Sequence, residues 1–138
     1  QKMLKTAQKA QNWSSQIDQA SAMPINWYVG MAHQELGNLP AALASFERAL
    51  AIAPHHFGVR SGYASLLDMA GRSAEAAKEL SALLLIFPGD NEGWLNLTIM
   101  QIHAGQWQAA RQSLSKLPPS YSPDKYPLVD KAIKDAGY

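Results

Sequence analysis

Residues 23–54 read MPINWYVGMAHQELGNLPAALASFERALAIAP, and the order of small, aromatic and helix-breaking residues in that stretch decides the fold. Gly30, Ala42 and Ala49 are small, Phe46 is a large aromatic, Gly37 is a break and Pro54 a stop. Up to Gly37 the run suits one helix, because a left-handed glycine ends a helix without a Cβ clash. Pro40 then fits the first turn of a second helix, where its missing N–H costs nothing. The small residues let the two backbones approach, and Phe46 fills the volume beside them. Residues 57–90 repeat the layout with Ala64, Gly71, Ala76, Leu80 and Pro88. A third copy follows from Asn91, with Trp94, Leu97, Gly105, Trp107, Ala110 and Leu114. Gly37, Gly71 and Gly105 are spaced by 34 residues, as are Pro54 and Pro88. A period of that length marks a stacked array of helix pairs, each burying its apolar face on the next.

Outward from the repeats, residues 2–20 contain no Gly or Pro. Met3, Ala7, Ala10, Trp13, Ile17 and Ala20 recur there at three- and four-residue steps, an apolar helical stripe. This segment reads as the second half of an incomplete preceding repeat, with a coiled-coil arm as the alternative. The first full repeat should place one helix over about 24–36 and another ending near Ala53, with His55 and His56 in the link that follows. Ser73 suits the N-cap of a helix reaching Phe87, and Asp90 that of a helix ending at Gly105. Pro118 and Pro119 should cut the last repeat helix short. A final helix is expected near 127–136, between Pro127 and Gly137, with Leu128, Val129, Ala132 and Ile133 as its apolar stripe. The layout is a single domain over 1–138: an N-terminal helix in 1–22, repeats at 23–56, 57–90 and 91–122, and a capping helix in 123–138.

Composition narrows the function. Charged residues make up 17% of the 138, below the usual quarter, and the net charge is +1. No global field therefore recruits nucleic acid or an anionic membrane. The absence of cysteine excludes disulfides, thiol catalysis and Cys-based zinc sites. No apolar run reaches membrane-spanning length, so insertion of this segment into a bilayer is not expected. The chain opens on Gln1 rather than methionine, which leads us to expect a processed form or an excised piece of something longer.

The repeat residues resemble those of tetratricopeptide repeat proteins. With Met23 as position one, the family's small residue at position 8 falls on Gly30, its glycine at 15 on Gly37 and its alanine at 20 on Ala42. Its aromatic at 24 falls on Phe46, its alanine at 27 on Ala49 and its proline at 32 on Pro54. The family's tryptophan at position 4 appears only as Trp94, where the other copies have Asn26 and Arg60. Position 27 becomes Leu83 and Leu117 in the later copies, so those helix pairs should sit slightly farther apart. The resemblance implies an all-α, right-handed superhelical array of antiparallel helix pairs with a C-terminal capping helix.

It also implies where a ligand would lie, because the first helix of each pair lines the concave side of such an array. In this chain the concave positions include Trp27, Met31 and Gln34, then Ser61, Ser65, Asp68 and Met69, then Leu95, Ile99, Ile102 and His103. Trp27 and Met31 are one turn apart and suit an apolar anchor; Asp68 and His103 would add polar contacts. The third copy's first helix is apolar on two sides, since Trp94 and Leu97 serve the core while Leu95, Ile99 and Ile102 point elsewhere. A helix apolar all round is buried or has a partner. Here the cover would be either a partner or the chain's own terminal helix.

Catalysis finds little support. His33 falls at a packing position of the repeat, and His55 and His56 are loop neighbours that seldom point at one metal together. No nucleophile triad, phosphate-binding loop or dinucleotide fingerprint is present, and neither a metal nor another cofactor is expected. Base-by-base RNA reading of the pentatricopeptide kind would need a repeat one residue longer and a basic surface. The expected function is that of a non-enzymatic scaffold binding a peptide or partner protein in its concave groove. The alternative keeps the fold as an accessory or regulatory domain of a larger bacterial membrane-bound enzyme, such as a glycan polymerase, or of a secretion component. That alternative would place it in the bacterial cell envelope or periplasm.

Overall fold

A computed structural model of the chain describes residues 19–138, with side chains from Met23 onward. It divides into two compact units, one up to Ala70 and one from Gly71 to Tyr138. The described part of the first unit holds helices α1 (Gln19–Glu35), α2 (Leu39–Ile52) and α3 (Phe57–Met69). The second holds α4 (Ser73–Ile86), α5 (Asn91–His103), α6 (Trp107–Leu114) and α7 (Tyr126–Asp135). There is no strand among the described residues. The fold is an all-α solenoid of helix pairs.

The turns explain the period. Gly37 sits at φ +76°, and its repeat equivalents Gly71 and Gly105 take the same left-handed conformation. Past Gly37 the chain closes with Asn38 N–H donating to the His33 carbonyl at 2.9 Å, and past Gly105 with Gln106 N–H donating to Gln101 at 2.8 Å. Each following helix starts two residues after its glycine, so the turn fixes the cap position at Asn38, Arg72 and Gln106. Of these only Asn38 caps, its side chain accepting from Ala41 N–H at 3.3 Å. Ser73, expected at the cap, is instead the first helical residue, and Arg72 before it forks onto Glu75 at 2.7 and 2.9 Å. Asp90 does stand at the cap of α5, but its side chain makes no capping bond. The other departure is Pro24, expected to open a helix and found inside α1. It removes one backbone hydrogen bond and the chain stays helical through it. The stripe expected over 2–20 lies outside the described residues except for Gln19 and Ala20, which belong to α1.

In the first unit α2 packs against both α1 and α3. Phe46 of α2, 1% exposed, is the reason two glycines stand on those neighbours. A Cβ on Gly30 would come within 2.6 Å of Phe46 Cε1, and one on Gly62 within 2.7 Å of Phe46 Cε2. In the same unit Val29, Ala32, Ala42, Ala49, Val59 and Ala64 are buried. Asn26 occupies the place of the family's tryptophan and is buried as well. Its Oδ1 accepts from Arg48 Nε at 3.2 Å, and Arg48 also donates to the buried Ser45 hydroxyl at 3.0 Å. A buried amide so satisfied costs far less than an orphaned one.

In the second unit α4 packs on α5 and α5 on α6, while α7 touches both α5 and α6. Gly93 lets α5 close on α4, since a Cβ there would be 2.9 Å from Leu84 Cδ2. A cluster of Leu95, Ala110, Leu114, Leu117, Val129 and Ile133 forms where α7 meets the last pair, with Ile99 and Ile102 packed against it. Of the two covers weighed for α5, the structure has the terminal helix. Val129 and Ile133, one turn apart, face inward, whereas Leu128, expected in the same stripe, is 69% exposed because it lies about 100° round the helix. Arg111 of α6 pairs with Asp130 of α7 at 2.5 Å, and Lys134 adds a contact at 3.0 Å. Hydrogen bonds from Arg111, and then from Lys134, hold the Asp130 carboxyl below its ordinary range.

Candidate functional site

The residues expected to line a binding face divide between the two units. In the first unit α1 and α3 meet at both ends. At one end the Trp27 indole, half-buried, lies over Gly58, where a Cβ would be 2.7 Å from Trp27 Cη2. It also meets the His56 ring edge-on, with centroids 4.9 Å apart. His56 is itself fixed, its Nδ1 accepting from Val59 N–H at 3.2 Å as the N-cap of α3. Trp27 therefore helps join two helices and is less open than an anchor would be. At the other end Gln34 Nε2 donates to Met69 Sδ at 3.7 Å.

Between these ends Met31 is 46% exposed, and Met69 at the second end is 56% exposed. Gln34, Ser61, Ser65 and Asp68 are half-buried, and the Ser61 hydroxyl donates to the Gly58 carbonyl at 3.3 Å. Tyr28 had no role in the sequence reading, yet it is 49% exposed and one turn from Met31. The i, i+3 spacing of a tyrosine and a methionine was the available signal. The repeat frame does not count Tyr28 among the concave positions, so position alone does not single it out.

The second unit departs from expectation. Leu95 is 4% exposed and sits inside the cluster under α7, so it is withdrawn from the candidate binding face. Ile99 and Ile102 pack against the same cluster, and His103 is exposed at the end of α5. The physical reason is the apolar pair Val129 and Ile133, which needs a surface and finds this one. His33 is buried, as its repeat position suggests, and its Nδ1 has no hydrogen-bond partner. Among the described residues no three His, Asp or Glu side chains are grouped to hold a metal ion. Nor is any described helix long and apolar enough to cross a membrane.

Comparison with known proteins agrees with the geometry. A tetratricopeptide repeat family model matches residues 34–98. The chain is similar in structure to a tetratricopeptide repeat protein from Parabacteroides merdae, with a TM-score of 0.82 at 17% identity, over 95% of this chain and 51% of that one. This chain thus spans about half of that protein's length. A MamA double mutant superposes with a TM-score of 0.73 at 15% identity, over 97% of this chain and 83% of that one. A further MamA structure gives 0.66 at 15% identity, over 82% and 70%. No curated protein matches. Tetratricopeptide repeats are, as a family, generally non-catalytic scaffolds for protein partners. The matched span, the recurring glycine turns and the buried Phe46 between paired glycines agree: residues 34–98 are similar to tetratricopeptide repeats, and the chain has the fold of such proteins.

Proposed function

We propose that the chain is a scaffold that takes a partner peptide along the face of α1 and α3 in its first unit. Met31 and Met69, with Tyr28, supply apolar contact area. Gln34, Ser61, Ser65 and Asp68 supply polar contacts along the same helices. One observation carries this reading: Gln34, one turn along α1 from the exposed Met31, donates to the sulfur of the exposed Met69 on α3, so that both methionines border the place where the two helices meet. Methionine adapts to partner shape at little cost in polar desolvation, and tyrosine adds rigid area with a polar tip. Trp27 supports the face by holding α3 against α1.

The test begins with a random twelve-residue display library selected on the full chain. Peptides that use this face should lose about 2 kcal/mol of binding, roughly thirtyfold, in the Met31→Ala/Met69→Ala variant. The variant's melting should stay near the parent's, because both side chains are about half exposed. Trp27→Ala should do the reverse and lower the melting temperature. Selected peptides that bind the methionine variant as tightly as the parent would move the site elsewhere.

A further inference from the structure

The second unit carries a different surface, built by the second helices of its pairs. Ser81, Ala82 and Leu85 of α4 face Ala109, Gln112 and Ser113 of α6 across a groove of about 420 Å³, with Trp94 and Leu97 of α5 along its length and Lys116 at its edge. The polar groups at its base answer each other: the Ser113 hydroxyl donates to Gln101 Oε1 at 2.7 Å, and both residues are buried. The Trp94 indole is fixed by its N–H, which donates to the Pro88 carbonyl at 2.8 Å. What remains for a visitor is mostly carbon.

Leu85, beside the groove, is 85% exposed, and Ile86 and Phe87 after it are 55% and 42% exposed. Leu85 and Ile86 thus present large apolar side chains to water beside an apolar groove, and natural proteins keep such surface mainly where something binds it. The groove's charge is one-sided. Lys116 is the only ionisable side chain among its lining residues, and its ammonium stands 5.8 Å from the centroid of the Trp94 ring. A cation held at the edge of an apolar channel selects a ligand with a carboxylate next to an apolar side chain. The charge pair sets orientation, and the buried side chain sets affinity.

We infer that this groove docks a protein segment of acidic amphipathic character, seating a Leu, Phe or Met between Trp94 and Leu85 with an Asp or Glu on Lys116. It is separate from the methionine face on α1 and α3, and either can stand without the other. The volume suits one or two side chains, and the exposed Leu85 and Ile86 extend the contact beyond what a small molecule covers.

The same display selection separates the two surfaces. Enriched peptides are sorted by their response to Lys116→Glu and to Leu85→Ser, both at exposed positions. The inference expects a class with an apolar side chain within four residues of a carboxylate. Those peptides should be indifferent to Met31→Ala/Met69→Ala and at least tenfold weaker on Lys116→Glu. They should regain affinity for that variant when their own carboxylate is replaced by lysine. Circular dichroism of each variant confirms that the fold is kept. The inference is overturned if the library yields no such class, if Lys116→Glu leaves binding unchanged, or if the charge swap restores nothing. Sedimentation supplies another refutation: self-association abolished by Leu85→Ser would assign the face to a second copy of the chain.

Discussion

Replacing Gly30 with alanine tests whether space or backbone freedom placed a glycine there. In an exposed helix the change stabilises by about 1 kcal/mol, since alanine is the better helix former. Here the new Cβ would stand 2.6 Å from Phe46 Cε1, well inside contact distance, and the ring is sealed at 1% exposure. Overpacking of this kind costs about 1–3 kcal/mol. The net expectation is destabilisation by up to about 2 kcal/mol. In a Phe46→Ala background every clashing ring atom is gone, so Gly30→Ala should instead stabilise by up to about 1 kcal/mol. The two effects differ by the clash itself, so a double-mutant cycle should return a coupling of about 1–3 kcal/mol. Urea unfolding at 25 °C, followed by far-ultraviolet circular dichroism, measures all four species. An equal cost of Gly30→Ala in both backgrounds would refute the argument, because the glycine would then answer to something other than Phe46.

Other outcomes follow from the same geometry. Ile133→Ala, at 0% exposure, should cost about 2–5 kcal/mol by thermal or urea unfolding, whereas Leu128→Ala, at 69%, should cost almost nothing. Removal of residues 123–138 should lower the melting temperature sharply or cause aggregation, because it strips the cover from Leu95 and Leu114; unchanged melting would mean that α7 contributes no packing. The Asp130 carboxyl is held below its ordinary range in the folded chain, so its contribution is complete above the unfolded value near pH 4 and fades as pH falls through the lower folded value. The acid limb of the stability profile should accordingly flatten in Asp130→Asn. Finally, His56→Ala should lower the melting temperature through two losses, the cap on Val59 and the ring against Trp27, and His56→Asn should recover the first alone.

The fold was legible in the sequence because its main determinants are local and repeated. A left-handed glycine every 34 residues sets each turn, and the small residues opposite Phe46 state how close the helices come. Helix starts were less legible at Ser73, since the turn glycine rather than the best capping side chain decides the register. Asn26 hid a buried polar contact because its partner, Arg48, lies on another helix. Burial of the candidate residues was not legible, because it depends on which helix lies across them. Trp27 looked like an anchor until Gly58 and His56 came against it, and Leu95 looked open until α7 was laid across it. The groove beside Lys116 could not be seen in one dimension at all. Its walls come from three helices, and no spacing rule joins Leu85 to Trp94 and Lys116.

The junction of α7 with the last pair has a consequence in terms of local concentration. Its buried grip consists of little more than Val129 and Ile133, with one ion pair to Arg111. Leu117 is itself buried in the cluster, so residues 118–125 are the link, a tether that could reach about 27 Å if fully extended. So short a leash keeps the helix at an effective concentration on the order of millimolar beside its seat. Contacts too few to hold a free peptide can thereby keep a covalently attached one in place. A synthetic peptide of residues 123–138 should therefore rescue a chain cut after residue 122 only when supplied in the millimolar range, and that cut should release the cover while leaving the contacts of Val129 and Ile133 themselves unchanged.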